Sequence, residues 1–430
     1  MEKPPKKLLK DLTHEEMLNY TQSLERHVKQ LQNILSKTRC EEKTKKLRKQ
    51  RPFDFNKYNT RHVVLKLLYL GWDYCGLAEQ EDSSKTIESI LFEALRTTKL
   101  IQSRDTSNYH RCGRTDKGVS AFSQVISIDL RTNLLEGVGV KQREGGTAHL
   151  RPVDSTTEEI NYILILNRSL PPEIRVLAWS PVDTEFSARF NCTQRTYKYL
   201  FPKGELDVEL MQEAGVKLIG SHDFRNLCKM DVRNGVKEYI RRIRDVSVAT
   251  VDSAVAGGYQ MCELTITGNA FLWHQIRCIV AILFLVGEKH EMPQVIDELL
   301  DIEKTPQKPQ YTMASELPLV LYECEYADID WLYDSEELDV VVKCLQSQWT
   351  THSVRANLVK RMITSLEIKR QEQNSTVDPV MTQTHCLIPG NRTKIHKPLA
   401  KRTTSDTLEK RLENFAKRPK LGVIKSTETE

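Results

Sequence analysis

In the segment RCGRTDKGVSAFSQVISIDL, Arg111–Leu130, one carboxylate, Asp116, stands among two arginines and a lysine just ahead of a strand-like run. A loop at a strand start can present such a carboxylate as a nucleophile or base. Arg114, two residues away, would hold it ionised at neutral pH. A second reading fits the same residues. Asp-Lys-Gly is turn chemistry, in which Asp bonds its own backbone and Gly118 takes a positive φ. The rest of the chain must separate the two.

Two further stretches carry residue types beyond what packing needs. FSARFNCTQRTYKYLF (186–201) interleaves Arg189, Arg195 and Lys198 with Phe190, Tyr197 and Tyr199. Aromatics beside cations suit base stacking combined with phosphate contact. A strand with one aromatic face inside also explains Tyr199, and Tyr197 shares that face. GNAFLWHQIRCIVAILFLVGEK (268–289) reads as a helix with an apolar body that encloses Arg277. A buried guanidinium needs an anion, so an internal carboxylate or a phosphate must meet it. His222, in GSHDF (220–224), reads as a structural or surface histidine.

The elements that must position these residues follow from periodicity. Val63–Leu70 reads as a strand, and Thr86–Leu100 as a helix with Ile87, Ile90, Leu91 and Leu95 on one face. Val125–Leu130 alternates as a half-buried strand. Residues 131–157 read as an insertion loop. Ile160–Leu166 is an apolar run. Arg195–Phe201, Ile240–Val248 and Met261–Thr267 alternate, the last two as a hairpin around AVAGGY. Phe271–Gly287 reads as a buried helix, Pro318–Tyr326 as a strand and Glu336–Ser347 as a closing helix. Strands and helices mix without strict βαβ alternation, which predicts an α+β fold built on an antiparallel sheet.

The flanks differ. Met17, Thr21, Leu24, Val28, Leu31 and Leu35 form a heptad seam of about three heptads, read as a coiled coil or as one amphipathic helix on its own domain. The run KTKKLRKQR, Lys43–Arg51, is a solvated face or a basic helix feeding an RNA surface. Beyond about residue 350 apolar density falls, and a basic stretch from Lys394 to Lys420 predicts partial order. The predicted divisions are a helical, basic extension over 1–58, a first catalytic half over 59–157, a second over 158–350 and a basic tail over 351–430.

The chain has 430 residues and a formal charge of +5, which permits a nucleic-acid partner without requiring one. Its ten cysteines are scattered singly with no C-x-x-C pair, so reduced thiols, no metal site and an intracellular setting are expected. MEKPPKKLLKDL lacks the apolar core of a signal peptide, and the longest apolar run, Cys278–Gly287, is about half a membrane span. A soluble protein with no membrane partner is expected.

Taken together, the motifs resemble the TruA-type tRNA pseudouridine synthases. CGRTDKGVSA matches the family signature. LGWDYCGLAEQ (70–80), LNRSLPPEIRV (166–176), FSARFNCTQRTYKY, GSHDF and FLWHQIRCIV follow in the family's order. The resemblance spans about residues 60–326. It is greatest to the eukaryotic branch acting on uridines 38 and 39 of the anticodon stem-loop, through YNTRHVVLKLLYLGWDYCGLAEQED, TSNYHRCGRTDKGVSA and HKPLAKR. The branch acting elsewhere on tRNA has Ala where this chain has Gly113.

The resemblance implies roles. Asp116 matches the catalytic aspartate, Arg114 the arginine that helps extrude the target base, and Tyr197 the tyrosine that stacks on uracil. Arg277 matches the helix arginine that pairs with the aspartate. Tyr197, Arg189, Arg195 and Lys117 are the expected substrate contacts. The implied fold is two ferredoxin-like α+β halves sharing a mostly antiparallel sheet, with a central basic cleft. The implied partners are tRNA and a second subunit in a homodimer, in nucleus and cytoplasm, with no cofactor and no metal. Attack at C6, attack at C1′ and a glycal route all remain open, and all need Asp116 unprotonated. A related synthase with other tRNA or messenger targets, or a catalytically silent RNA-binding protein, are the rival readings.

Overall fold

The structure, a computed structural model, describes residues 53–80, 85–142, 158–232, 235–251, 259–373, 384–389 and 396–417. Two compact units divide at Asp54, and the elements below belong to the second, Phe55–Glu430. The heptad seam and the basic run Lys43–Arg51 lie outside the described residues.

Among the described residues, eleven strands form one sheet. They are β1 Thr60–Tyr69, β2 His110–Arg111, β3 Ser120–Arg131, β4 Val140–Lys141, β5 Ile174–Pro181, β6 Cys192–Pro202, β7 Gly220–Asp223, β8 Ile240–Thr250, β9 Met261–Gly268, β10 Leu319–Tyr326 and β11 Leu332–Tyr333. Their order is β11-β5-β1-β3-β10-β6-β9-β8-β7, with β2 on β3 and β4 on β1. Every neighbouring pair is antiparallel except β3 and β10, which run parallel at Ser120↔Val320 and Ala121↔Leu321. This is the mostly antiparallel α+β sheet that the sequence predicts. β8 and β9 pair antiparallel, as expected, and the turn AVAGGY between them lies mostly outside the described residues.

The parallel contact joins two cores. Around β1, β3 and β5, the helices α1 Ile87–Thr97 and α2 Tyr162–Ser169 bury Leu91, Leu95, Ile163 and Leu166. Thr86 starts α1 by accepting the Ser89 N–H, which satisfies one of the free donors of the first turn. Around β6, β8 and β9, the helices α3 Val208–Val216, α4 Gln275–Gly287 and α5 Val295–Leu300 bury Met211, Ile279, Leu283, Phe284 and Ile296. α4 is apolar on all sides, and every residue but Leu285 is buried, as expected of a helix inside a core. Tyr197 packs against both clusters, so it sits at their junction.

Several expectations are refined. β3 is buried on both faces rather than half-buried. Most of its polar groups are covered by partners, while Ser123 Oγ is buried with no hydrogen-bond partner among the described residues. Ser127 Oγ accepts from Ala188 N, Gln124 donates to Gly113 O, and Asp129 holds His62 and Lys141. The insertion at 131–157 contributes the short strand β4 before leaving the described residues. Of the run Ile160–Leu166, the part from Tyr162 onward belongs to helix α2, which Asn161 caps. The closing helix runs much further than Ser347: α6 spans Ser335–Glu372 and crosses residue 350 without a break. Part of the basic tail also packs. Helix α7, Leu408–Ala416, and the preceding segment bury Leu399 and Leu408 in the second core. Among the described residues, no helix is long and apolar enough to cross a membrane.

Candidate active site

The loop that carries Asp116 enters β3 beside the parallel junction. It is braced by LGWDYCGLAEQ. Gly71 N donates to Ser120 Oγ, Leu77 N to Thr115 O, and Gly118 N to Tyr74 O, while Tyr69 OH bonds Thr115 Oγ1 at 2.7 Å. Gly118 has φ +80°, and a Cβ there would meet Glu316 Cγ at 2.7 Å. Asp-Lys-Gly is therefore a turn, Val119 N donating to Asp116 O at 3.1 Å, and the same turn presents the carboxylate. The turn reading of this motif is met, and the conformation leaves the carboxylate half-buried at the loop.

Two side chains that periodicity assigned to a helix body meet that carboxylate. α4 begins at Gln275, not Phe271, because His274 has φ +58° and Gln275 Oε1 accepts the Leu272 N–H at 2.7 Å. The freed segment turns Trp273 and His274 toward Asp116. Trp273 Nε1 donates to Asp116 Oδ1 at 3.1 Å, and His274 Nε2 lies 3.4 Å from Oδ2. Phe271, on the same segment, meets the Tyr197 ring edge-on at 5.2 Å. Lys229 Nζ sits 4.0 Å from the Trp273 ring centroid.

Arg277 is buried, as its neighbours in sequence demand, but its hydrogen-bonded anion is Glu316 rather than Asp116. The Glu316 carboxylate accepts from Arg277 Nη2 at 2.7 Å, and Ala314 O accepts from Nε at 2.7 Å. Glu316 follows a loop that returns to β10 and lies over Gly118, which places it between the guanidinium and the turn. Arg277 still acts on Asp116 through its charge.

The electrostatics of Asp116 also differ from expectation. Burial pushes its carboxyl up from the usual carboxylate value and outweighs the Trp273 hydrogen bond and the charges of Arg277 and Lys229, which pull it down. Arg114 is not among these influences, and its side chain is exposed. His274 is held down to about 4 by burial, with Arg277, Lys229 and Lys308 adding to the effect. It is therefore a neutral ring at pH 7, and its contact with Asp116 is that of a neutral donor when Nε2 carries the proton. Its buried Nδ1 has no hydrogen-bond partner among the described residues. The Tyr197 phenol is pushed up by burial and stays protonated.

The remaining predicted residues fall into two groups. Lys117 and Arg189 are exposed, and Arg189 lies over the Phe190 ring at 5.3 Å. Arg195 is partly buried and acts as a clamp rather than an open contact. It donates to Cys112 O at 2.9 Å, to Arg189 O at 3.2 Å and to Asn269 O. His222 bonds Ile219 O at 3.0 Å and has the structural role expected of it. Trp273, His274, Lys229 and Glu316 were not singled out from sequence. The available signal was the polar and aromatic pair Trp-His directly before an apolar helix.

Comparison with known proteins decides the family. A model described as tRNA pseudouridine synthase matches residues 214–327. A tRNA pseudouridine(38/39) synthase of Bos taurus is 45% identical over 95% of this chain and 88% of its own length. The chain belongs to the tRNA pseudouridine synthase family. Another tRNA pseudouridine(38/39) synthase, of Homo sapiens, is 43% identical over 95% of this chain and 88% of its own length. A tRNA pseudouridine synthase A of Methanosarcina barkeri is 28% identical over 70% of this chain and 98% of its own length. In this pseudouridine synthase the matched region holds α4, Arg277, Trp273, His274 and Glu316, so the residues around the carboxylate lie inside it.

Proposed function

We propose that this enzyme isomerises uridine to pseudouridine at positions 38 and 39 of the tRNA anticodon stem-loop, the positions named for relatives 43–45% identical over 95% of the chain. The reaction breaks the N1–C1′ bond of uridine, turns the uracil and joins C5 to C1′, with a proton lost from C5 and one gained at N1. Atoms and electrons balance without a redox partner. The observation that carries the reading is one partly buried carboxylate, Asp116, with Trp273 Nε1 at one oxygen and His274 Nε2 facing the other. Two neutral donors orient the group without neutralising it.

In this reading Asp116 is the nucleophile or base, and it acts unprotonated at C6, at C1′ or through a glycal. The target base must leave its stack. Arg114, exposed on the same loop, fills the space left behind. Tyr197, braced by Phe271, stacks on the extruded uracil. Lys117 and Arg189 meet phosphate, while Arg195 holds the loop that presents them. The two cores correspond to the two ferredoxin-like halves, with a basic cleft between them, and the enzyme works as a homodimer in nucleus and cytoplasm. The basic run Lys417–Lys420 suits nuclear import.

The test is tritium release from tRNA labelled at C5 of uridine, joined to pseudouridine mapping of the product. Wild-type protein should release tritium and mark positions 38 and 39. Asp116→Ala should release none while binding tRNA within several-fold, because affinity rests on many phosphate contacts. Turnover by Asp116→Ala would remove this residue from the chemistry. Marks at other positions would assign a different target, and no release at all would leave an RNA-binding role.

A further inference from the structure

Three thiols meet beside the Asp116 loop. Cys112 precedes the loop, Cys192 opens β6 and Cys324 lies in β10. All three sulfurs are within 4.8 Å of one another, and those of Cys112 and Cys324 are 3.4 Å apart. Cys112 and Cys324 are buried, and Cys192 is half-buried. Cys112 and Cys324 are 212 residues apart in the chain, so no ligand spacing reveals them.

Arg195 supplies a second observation. Its partly buried guanidinium lies within electrostatic reach of all three sulfurs. Its hydrogen bonds go to the carbonyls of Cys112, Arg189 and Asn269, and among the described residues no ion pair joins it to a carboxylate. A desolvated cation of this kind calls for an anion. Three neutral thiols would pack as small hydrophobes and place no negative charge beside that cation.

We propose that Cys112, Cys192 and Cys324 form a thiolate site for one soft metal ion, with zinc(II) as its defining probe. Thiolate ligands select zinc or copper(I) over hard cations. Zinc–sulfur bonds of about 2.3 Å at tetrahedral angles place sulfurs roughly 3.8 Å apart. That separation lies between the 3.4 Å of the close pair and the 4.8 Å bound on the set, so closure takes small side-chain shifts. Binding converts three thiols and Zn²⁺ into a complex of net charge −1 and releases three protons. Arg195 then compensates that charge. The fourth position falls to water on the half-exposed Cys192 side. The site ties the start of the Asp116 loop to the Tyr197 strand and to β10, the strand through which the two cores join.

The test uses the full chain, stripped of metal by chelation under reducing conditions and titrated with cobalt(II), then zinc(II). One cobalt per chain should bind, with a thiolate-to-cobalt charge-transfer band that zinc abolishes. Cys192→Ser and Cys324→Ser should lose the band, and Cys75→Ser should keep it. Alkylation of the wild-type chain followed by mass spectrometry covers the case in which those variants misfold. Zinc should shield Cys192, Cys112 and Cys324 while leaving Cys75 and Cys344 as reactive as before. No band beyond that of the triple Cys→Ser variant, or alkylation unchanged by zinc, overturns the proposal. A Cys112–Cys324 disulfide formed by hydrogen peroxide in a chain that takes up no cobalt overturns it in favour of redox chemistry.

Discussion

In its proposed role Asp116 pairs reactivity with an electrostatic cost. Burial raises its folded-state pKa above the ordinary value, so the ionised form opposes folding at neutral pH. The sign follows from linkage. A carboxyl with a raised folded pKa favours the fold while protonated, and that contribution is lost as pH rises through the folded value. Asp116→Asn should therefore abolish isomerisation yet raise the melting temperature at pH 7, with the gain shrinking toward low pH. A lower melting temperature at pH 7 would show that the charge is stabilising. Trp273 acts in the opposite sense to burial. Trp273→Phe removes a donor to a charged acceptor, an interaction of about 1.5–3 kcal/mol, so activity should fall on the order of tenfold or more. The acid limb of kcat/KM should also move to higher pH, because a lowering influence is gone. A limb at the wild-type position would sink this account of Trp273.

At the scale of the element, α4 and the loop leading into β10 meet through Arg277 and Glu316. The two partners are unequally buried, with side-chain exposures of 7% and 38%. That asymmetry decides which deletion is worse. Glu316→Ala leaves a buried guanidinium whose one remaining hydrogen-bond partner among the described residues is the Ala314 carbonyl, and should cost about 3 kcal/mol. Arg277→Met leaves a carboxylate that can turn to water, and replaces the guanidinium with an apolar chain among apolar neighbours. It should cost clearly less stability while still reducing activity, since Asp116 loses a charge that holds it ionised. Urea denaturation of both variants checks the order, and equal costs would contradict it.

At the scale of the whole molecule, the C-terminal segment belongs to the second core. Thr404 bridges to Pro309, Gln310 N donates to Thr403 O, and His396 lies 3.0 Å from Glu291. Leu399 is 2% exposed, so Leu399→Ala should destabilise the fold by about 2–4 kcal/mol, read from the denaturation midpoint. Loss of this segment should also flatten the salt dependence of tRNA affinity, because its lysines and arginines displace counterions. An unchanged salt slope after truncation would confine the segment to a structural role.

Much of this was legible in the chain itself. Alternating residues located β6, β8 and β9, since one buried face imposes a period of two, and β1 and β10 were legible as strands from their residue types. The apolar run around Arg277 required an internal anion, because desolvating a lone guanidinium is too costly. The Asp116 turn and its glycines were visible as local chemistry. Tertiary structure alone decided the rest. It chose Glu316 as the anion, because only folding shows which distant carboxylate arrives beside Arg277. It unwound Phe271–His274 ahead of α4, since a left-handed residue at His274 has no period to announce it. It buried the polar face of β3 by bringing Ala188 to Ser127 and His62 and Lys141 to Asp129 from other segments. It brought Cys112, Cys192 and Cys324 together, and it carried α6 through residue 350. Period and turn chemistry act between near neighbours in the chain, whereas ion pairs, thiol clusters and the burial that raises the Asp116 pKa depend on which distant segments share one small volume.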